Sequence, residues 1–427
     1  MIDIKTSGSP VWCGCAAAAS LKGPAATTTL PGCRAGGVIV VSVDFRLGIY
    51  GFFGHPGLAG SGTFGLHDQQ SALRWVRDNV GAFGGDPHNV TLFGQSGGSI
   101  GTCAQLTSPS SAGLFQRAIL QSGPCGMHWP PSSLVLGAPA GSFVKPLAQV
   151  EQSGSKAAAA LDCRREDDTA ELDCLRLLPT TALDSQFAAF AAAASRTALL
   201  PLASDAALRL GRFHRMPVLS GHTSDEHRLV AGIFAAAGSH ISAQQYPGLI
   251  RRAYGNAAPA VLARYPVSRY GGDGALAWSA AFTDSIWACE QIDSENALSR
   301  YVPTYTYEFA DEHAQPFADL PADFAAGASH ASELPDLFEV AGRKPISSDY
   351  CTDEQRRLAG RLIDYWTGFA RTGRPVSAGA ADDLCGAQRY AEGPSRTREP
   401  DQRVGPRGSP TPSGCSAWRR VRRKSAS

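Results

Sequence analysis

The chain has 427 residues, of which 43% are hydrophobic, 18% charged and 8% aromatic, proportions of a globular protein that exclude a disordered or fibrous one. With 39 basic against 38 acidic side chains its formal charge is +1, so no strong overall field draws in nucleic acid or a membrane surface. No apolar run reaches the roughly 18 to 20 residues of a membrane span, and the Ala-rich stretch from Phe187 to Leu200 is broken by Ser195 and Arg196.

Three parts are expected: an irregular segment over residues 1–35, a folded α/β domain over 36–375 and a basic tail over 376–427. The first part opens with Met1-Ile2-Asp3-Ile4-Lys5, which is not the apolar core of a secretory signal. In the second, Val38-Ile39-Val40-Val41-Ser42-Val43 is a β-branched run with little polarity, the pattern of a strand covered on both faces in a largely parallel sheet. After a Gly-rich loop, residues His67 to Val80 place apolar side chains at helical spacing behind Asp68, which predicts a helix. Gly84-Gly85-Asp86-Pro87 reads as a break and Val90-Thr91-Leu92-Phe93 as a strand. Gly94-Gln95-Ser96-Gly97-Gly98 then turns the chain into another helical stretch.

A further strand is expected at Arg117 to Ser122, followed by a helical section from about Pro146 to Arg212. Met216 to Gly221 and Pro303 to Phe309 read as further strands of the same sheet. Asp353 to Ala370 reads as an amphipathic helix, closed by Gly373 and Pro375. The tail from Val376 holds 10 basic and 5 acidic residues, against 29 and 33 in the rest. Its Arg, Pro, Gly and Ser content with little apolar periodicity predicts disorder. The chain shows no internal repeat, zinc-type cysteine pairing or phosphate loop, and Cys13-Gly14-Cys15 is too short for a metal site.

Gly94-Gln95-Ser96-Gly97-Gly98 fits G-x-S-x-G, in which flanking glycines let a strained turn push the serine hydroxyl out above a sheet. A five-residue match in a chain with 46 glycines is weak alone, but strand before and helix after is the confirming context. Around it stand Val43-Asp44-Phe45-Arg46-Leu47-Gly48, Gly65-Leu66-His67-Asp68-Gln69, Phe83-Gly84-Gly85-Asp86-Pro87, Asn89 to Ser96, Gly113-Leu114-Phe115-Gln116-Arg117-Ala118 and Gln121-Ser122-Gly123. Together these closely resemble the type B carboxylesterase and cholinesterase family, and with gaps the resemblance reaches Tyr365 to Gly373.

The resemblance implies an α/β-hydrolase fold, a central mostly parallel sheet flanked by helices, and a Ser, Glu, His triad in that chain order. Ser96 matches the nucleophile. Gly221-His222-Thr223-Ser224-Asp225-Glu226-His227 matches the acid motif at Glu226, with His227 replacing the usual glycine, and His330-Ala331-Ser332-Glu333-Leu334-Pro335 matches the histidine loop at His330. Such chemistry needs all three, because a serine hydroxyl is a poor nucleophile until a base takes its proton and a third group holds that base in one tautomer. Asp225 and Glu333 stand as alternatives for the acid. The implied activity is hydrolysis of a small-molecule carboxylic ester with no metal or organic cofactor. Gln95, where many relatives carry Glu, points away from cationic alcohols.

The family also implies a disulfide between Cys163 and Cys174. Cys289 resembles one half of a second, for which no well-matched partner is evident. Eleven cysteines favour secretion, as the family does, whereas the N-terminus carries no signal and begins later than full-length members.

An oxyanion hole needs the amide after the nucleophile, here that of Gly97, and amides of a Gly-rich loop after an early strand. The chain instead has Cys13-Gly14-Cys15-Ala16-Ala17-Ala18-Ala19-Ser20 there. Read two bases later, consecutive Ala codons become NGC, so Ala16 to Ala19 can encode Gly-Gly-Gly, and Ala26-Thr27-Thr28-Thr29 can encode Asp-Tyr-Asp. Residues from about Val11 to Ala35 are therefore expected to be out of frame, and the tail from about Ala378 is expected to share that origin. The alternative function is a non-catalytic or impaired protein of the same fold.

Overall fold

The computed structural model describes residues 9–14, 37–339, 343, 351–375, 415, 416, 418 and 421. At its centre is a six-stranded sheet built of β1 (Ser9–Gly14), β2 (Ile39–Ser42), β3 (Gly85–Gln95), β4 (Arg117–Gln121), β5 (Val218–Thr223) and β6 (Thr304–Phe309). The spatial order is β6-β5-β4-β3-β1-β2 and every pairing is parallel, as expected from strands that read as apolar runs rather than alternating ones. Parallel neighbours need crossovers, and helices supply them: α1 (Phe64–Asn79) and α2 (Gly97–Thr107) flank β3, and α3 (Gly274–Phe282) and α4 (Cys289–Leu298) lie between β5 and β6. A 20-residue helix, α5 (Asp353–Thr372), starts on a capping box between Thr352 and Gln355 and stops at Gly373 in the left-handed region.

Side chains from both faces of the sheet are buried. Leu73, Val76, Leu92, Cys103, Leu106, Ala118 and Val218 pack in one cluster, and Ile119, Leu219, Tyr307, Trp366 and Phe369 in another. Alternate residues of β4 and β5 therefore serve opposite layers, which is the period of a strand. Of the motifs that carried the resemblance, Arg46 and Asp68 meet in a two-pronged ion pair, with Nε 2.8 Å and Nη2 2.7 Å from the carboxylate oxygens. This ties the loop after β2 to the first turns of α1.

Several expectations are corrected. Gly84 to Pro87 does not simply break the chain: Gly85 already pairs with Ser9, and a register irregularity lets Pro87 pass through the ladder before Val90 pairs with Val11. The stretch from Pro146 to Arg212 is not continuously helical. Helices cover Leu147–Ala160, Asp168–Leu177, Thr180–Asp184 and Ser204–Arg209. Ala193–Ser195 instead forms a short parallel pair with Val144–Pro146, because hydrogen bonding to a neighbouring segment overrides even the high intrinsic helix propensity of alanine, which is small in energy per residue.

Cys163 and Cys174 form the implied disulfide. Inside that loop the buried Glu171 receives the backbone N–H of Arg165 at 3.0 Å and lies 3.2 Å from His55 Nε2. A second bond, Cys103–Cys125, joins α2 to the chain beyond β4 and was not anticipated. Cys289 does have a partner, Cys415, which corrects the sequence reading. Cys415 and Trp418 are buried, and the Trp418 ring packs against those of Tyr254 and Tyr265. A spacing argument could not find that pairing across 126 residues. Among the described residues, no helix is long and apolar enough to cross a membrane.

Candidate active site

β3 delivers Gln95 to the top of the sheet, and α2 begins at Gly97. Between them Ser96 has φ 57° and ψ −122°, a conformation that an L-residue adopts only under constraint. Close backbone approach enforces it. A Cβ on Gly94 would lie 2.2 Å from the carbonyl carbon of Gly98, and one on Gly123 would lie 2.3 Å from the Ser96 carbonyl oxygen. The turn is held from the side as well: Ser96 N–H donates to the Gln121 carbonyl at 2.8 Å, and Ser99 Oγ donates to the Gly123 carbonyl at 2.7 Å. The N–H of Gly97, in the first turn of α2, has no carbonyl to meet within its own helix.

His330 and Glu226 reach the same end of the sheet from the loops after β6 and β5. Two backbone bonds join these loops, from His330 N–H to the Glu226 carbonyl at 3.2 Å and from Asp225 N–H to the Ala328 carbonyl at 3.0 Å. The His330 ring then presents Nδ1 to Glu226 Oε2 at 2.5 Å. The other carboxylate oxygen, Oε1, accepts the Thr223 N–H at 2.8 Å. Burial alone would raise the Glu226 carboxyl, but the charge and hydrogen bond of His330 and the remaining donors hold it below the ordinary carboxylate range. An ionised Glu226 fixes the proton on Nδ1 and leaves Nε2 as the acceptor. That Nε2 lies 3.2 Å from the side-chain amide nitrogen of Gln95, the residue immediately before Ser96.

The alternatives for the acid are placed elsewhere. Asp225 pairs with Arg228 at 2.8 Å and accepts the Ala328 N–H at 3.3 Å, a clip between the two loops. A Cβ on Gly327, which has φ 55°, would strike both partners of that clip. Glu333 is buried behind Gln121 at 3.4 Å and pushed up to about 7, by burial first and then by the charge of Glu226.

Sequence reading missed three side chains around His330. The sequence shows Gln95 only as a missing charge, and nothing in it singles out Trp287. Trp287 packs its ring 4.4 Å from that of His330, centroid to centroid. His227 stood out only as a departure from glycine. Its Nδ1 accepts the Trp287 indole N–H at 3.0 Å, and its Nε2 lies 3.0 Å from the Ser133 carbonyl oxygen. No spacing rule brings residues 227, 287 and 330 together, so only the departure from glycine was visible beforehand. The stretch from Cys15 to Ser20 lies outside the described residues; it begins where β1 ends, at Gly14. Among the described residues no cluster of His, Cys, Asp and Glu is arranged to hold a metal ion.

The profile of the carboxylesterase family matches residues 28–392. Para-nitrobenzyl esterase of Bacillus subtilis (strain 168) is 31% identical over 345 residues, spanning 80% of this chain and 65% of that protein. Pyrethroid hydrolase Ces2e of Rattus norvegicus is 28% identical over 358 residues, 80% of this chain and 59% of that protein. Neuroligin-2 of Mus musculus is 29% identical over 362 residues, 80% of this chain and 41% of that protein. The aligned part of this chain thus spans between 41 and 65% of the length of these relatives. A parallel sheet with helical crossovers, together with a family match over most of its length, makes this chain an α/β-hydrolase-fold member of the carboxylesterase family.

Proposed function

We propose that the protein is a carboxylic ester hydrolase working through a serine acyl-enzyme, with Ser96 as nucleophile, His330 as general base and Glu226 as the group that orients it. The observation that carries this reading is the 2.5 Å contact between Glu226 and His330 Nδ1, made by a base whose Nε2 faces the residue next to the strained Ser96. Ser96 Oγ would attack the ester carbonyl while His330 Nε2 takes its proton. The tetrahedral oxyanion would be met by the Gly97 N–H. Collapse expels the alcohol, which takes the proton back from His330, and water repeats the sequence to release the acid and regenerate Ser96.

Similarity to two named esterases supports the reaction class. A small-molecule ester is the substrate it implies. The similarity to neuroligin-2, a relative whose name states no reaction, is compatible with a second reading in which the same fold is non-catalytic. Ser96, Glu226 and His330 standing in the family's chain order favour the enzyme.

A fluorophosphonate reporter decides between them. Stoichiometric labelling of the folded protein, abolished in Ser96→Ala and accompanied by hydrolysis of p-nitrophenyl acetate, is expected. A folded protein that never labels overturns the catalytic reading.

A further inference from the structure

His227 is wholly buried and both of its ring nitrogens are engaged. Nδ1 accepts from Trp287 Nε1 at 3.0 Å, so Nε2 carries the proton and donates it to the Ser133 carbonyl at 3.0 Å. Its backbone N–H donates to Thr283 Oγ1 at 3.0 Å, and its ring packs 4.7 Å from Trp278 and 5.3 Å from Phe282. Every freedom of this imidazole is taken up. Trp287 lies in the π-helical turn Thr283–Ala288 between α3 and α4 and is 5% exposed. Its indole N–H donates to His227 Nδ1, and its ring meets that of His330 at 4.4 Å with 44° between the planes.

We propose that His227 is a positioning residue for the base: by accepting the Trp287 N–H it pins the indole against His330 and so restricts the imidazole to the orientation that faces Ser96. This rests on the esterase reading for its catalytic consequence, although the contact itself does not.

The physical argument is one of alternatives. A glycine or an apolar side chain at position 227 would leave the Trp287 N–H and the Ser133 carbonyl without their partner in a dry interior, where an unpaired polar group is costly. Trp287 would then turn to find another acceptor, and one wall of the His330 ring would go with it. Glu226 restrains His330 at Nδ1 and Gln95 meets it at Nε2, which still leaves the ring free to tilt about the line through those two contacts. The indole face closes that motion. Burial pushes the His227 imidazole down to about 3, with the nearby His330 adding to the fall. His227 is therefore a neutral strut throughout the working pH range and does not compete with His330 for protons.

The test uses His227→Leu, His227→Asn and Trp287→Phe in the full chain, with p-nitrophenyl acetate turnover and with NMR of the His330 ring protons, assigned by His330→Gln. Asn places its Oδ1 where Nδ1 stands and keeps an acceptor for the indole. Misplacing the base lowers kcat by about tenfold to a hundredfold in His227→Leu, with little change in KM, while His227→Asn retains most of it. The double variant His227→Leu/Trp287→Phe falls no further than Trp287→Phe alone, since the two act as one unit. The ring-current displacement of the His330 protons shrinks in His227→Leu and persists in His227→Asn.

If His227→Leu keeps both the kcat and the His330 resonances of the parent, the proposal is overturned. Additive losses in the double variant overturn it equally. Should the parent protein hydrolyse nothing, the esterase reading fails, and the His330 resonances still decide whether His227 holds Trp287 in place. Should His227→Leu not fold, Trp287→Phe against His227→Asn gives the same comparison.

Discussion

The side-chain amide of Gln95 stands 3.2 Å from His330 Nε2, at the atom that must receive a proton from Ser96 if the proposed chemistry holds. With Glu226 holding the proton on Nδ1, the amide is the donor and the base is the acceptor, so the resting base is already hydrogen-bonded by the neighbour of its own nucleophile.

That contact makes position 95 a handle on the pH profile. Gln95→Glu would place a carboxylate beside Nε2 and favour the imidazolium, raising the pH at which the base becomes neutral. The acid limb of kcat/KM is expected to move up by about one pH unit or more, with activity at high pH largely kept. An unshifted limb means that the residue does not face the base in solution.

Buried carboxyls set the stability profile. Glu295, buried and bonded to Ser220 Oγ at 2.9 Å, is pushed up to about 8 by burial against the Ser220 bond, and Asp336 to about 8 by burial and by Asp311 and Glu333. In the unfolded chain these groups ionise near 4.5 and 3.8. Between those values and pH 8 the folded state holds protons that the unfolded state has released, so stability falls as pH rises. Glu226 acts in the opposite sense, but only below its ordinary value of 4.5. Glu295→Gln keeps an acceptor for Ser220 and removes one ionisation, so the drop in urea midpoint between pH 5.5 and 8 should become shallower. An identical slope in the variant would show that Glu295 ionises alike in both states.

The bond between Cys289 and Cys415 joins α4, beside the base-bearing loops, to a segment 126 residues away. Constraining a loop of that length is worth about 5 kcal/mol in the chain-entropy description. Cys415→Ser is expected to lower the unfolding midpoint substantially and to expose Trp418, read by its fluorescence. Equal midpoints in parent and variant would show that the tail does not dock in solution.

The reading-frame expectation has a direct check at the gene. β1 ends at Gly14, two residues before Ala16, where the shifted frame can begin to encode Gly-Gly-Gly. Resequencing across the codons for Met1 to Asp44 and Val376 to Ser427 is expected to restore those glycines. The corrected protein should then label with fluorophosphonate about 10² to 10³ times faster, the value of one oxyanion donor. If the sequence stands, the frame idea is wrong and weak hydrolysis is expected.

Local order was legible in the sequence. The strand at Ile39–Ser42, the turn at Ser96 with strand before and helix after, and the helix ending at Gly373 all follow from short-range rules of apolar period, backbone freedom and capping, which act over a few residues. The motif match also pointed to Glu226 and His330, but adjacent residues offered Asp225 and Glu333 on equal chemical grounds. Only the packing of the loops after β5 and β6 turned Glu226 toward His330 and engaged Asp225 with Arg228. The same holds for Gln95, Trp287 and His227 around the base and for Cys415 opposite Cys289. Partners so far apart in the chain are selected by the geometry of the whole core, through hydrogen bonds and burial that no local pattern records.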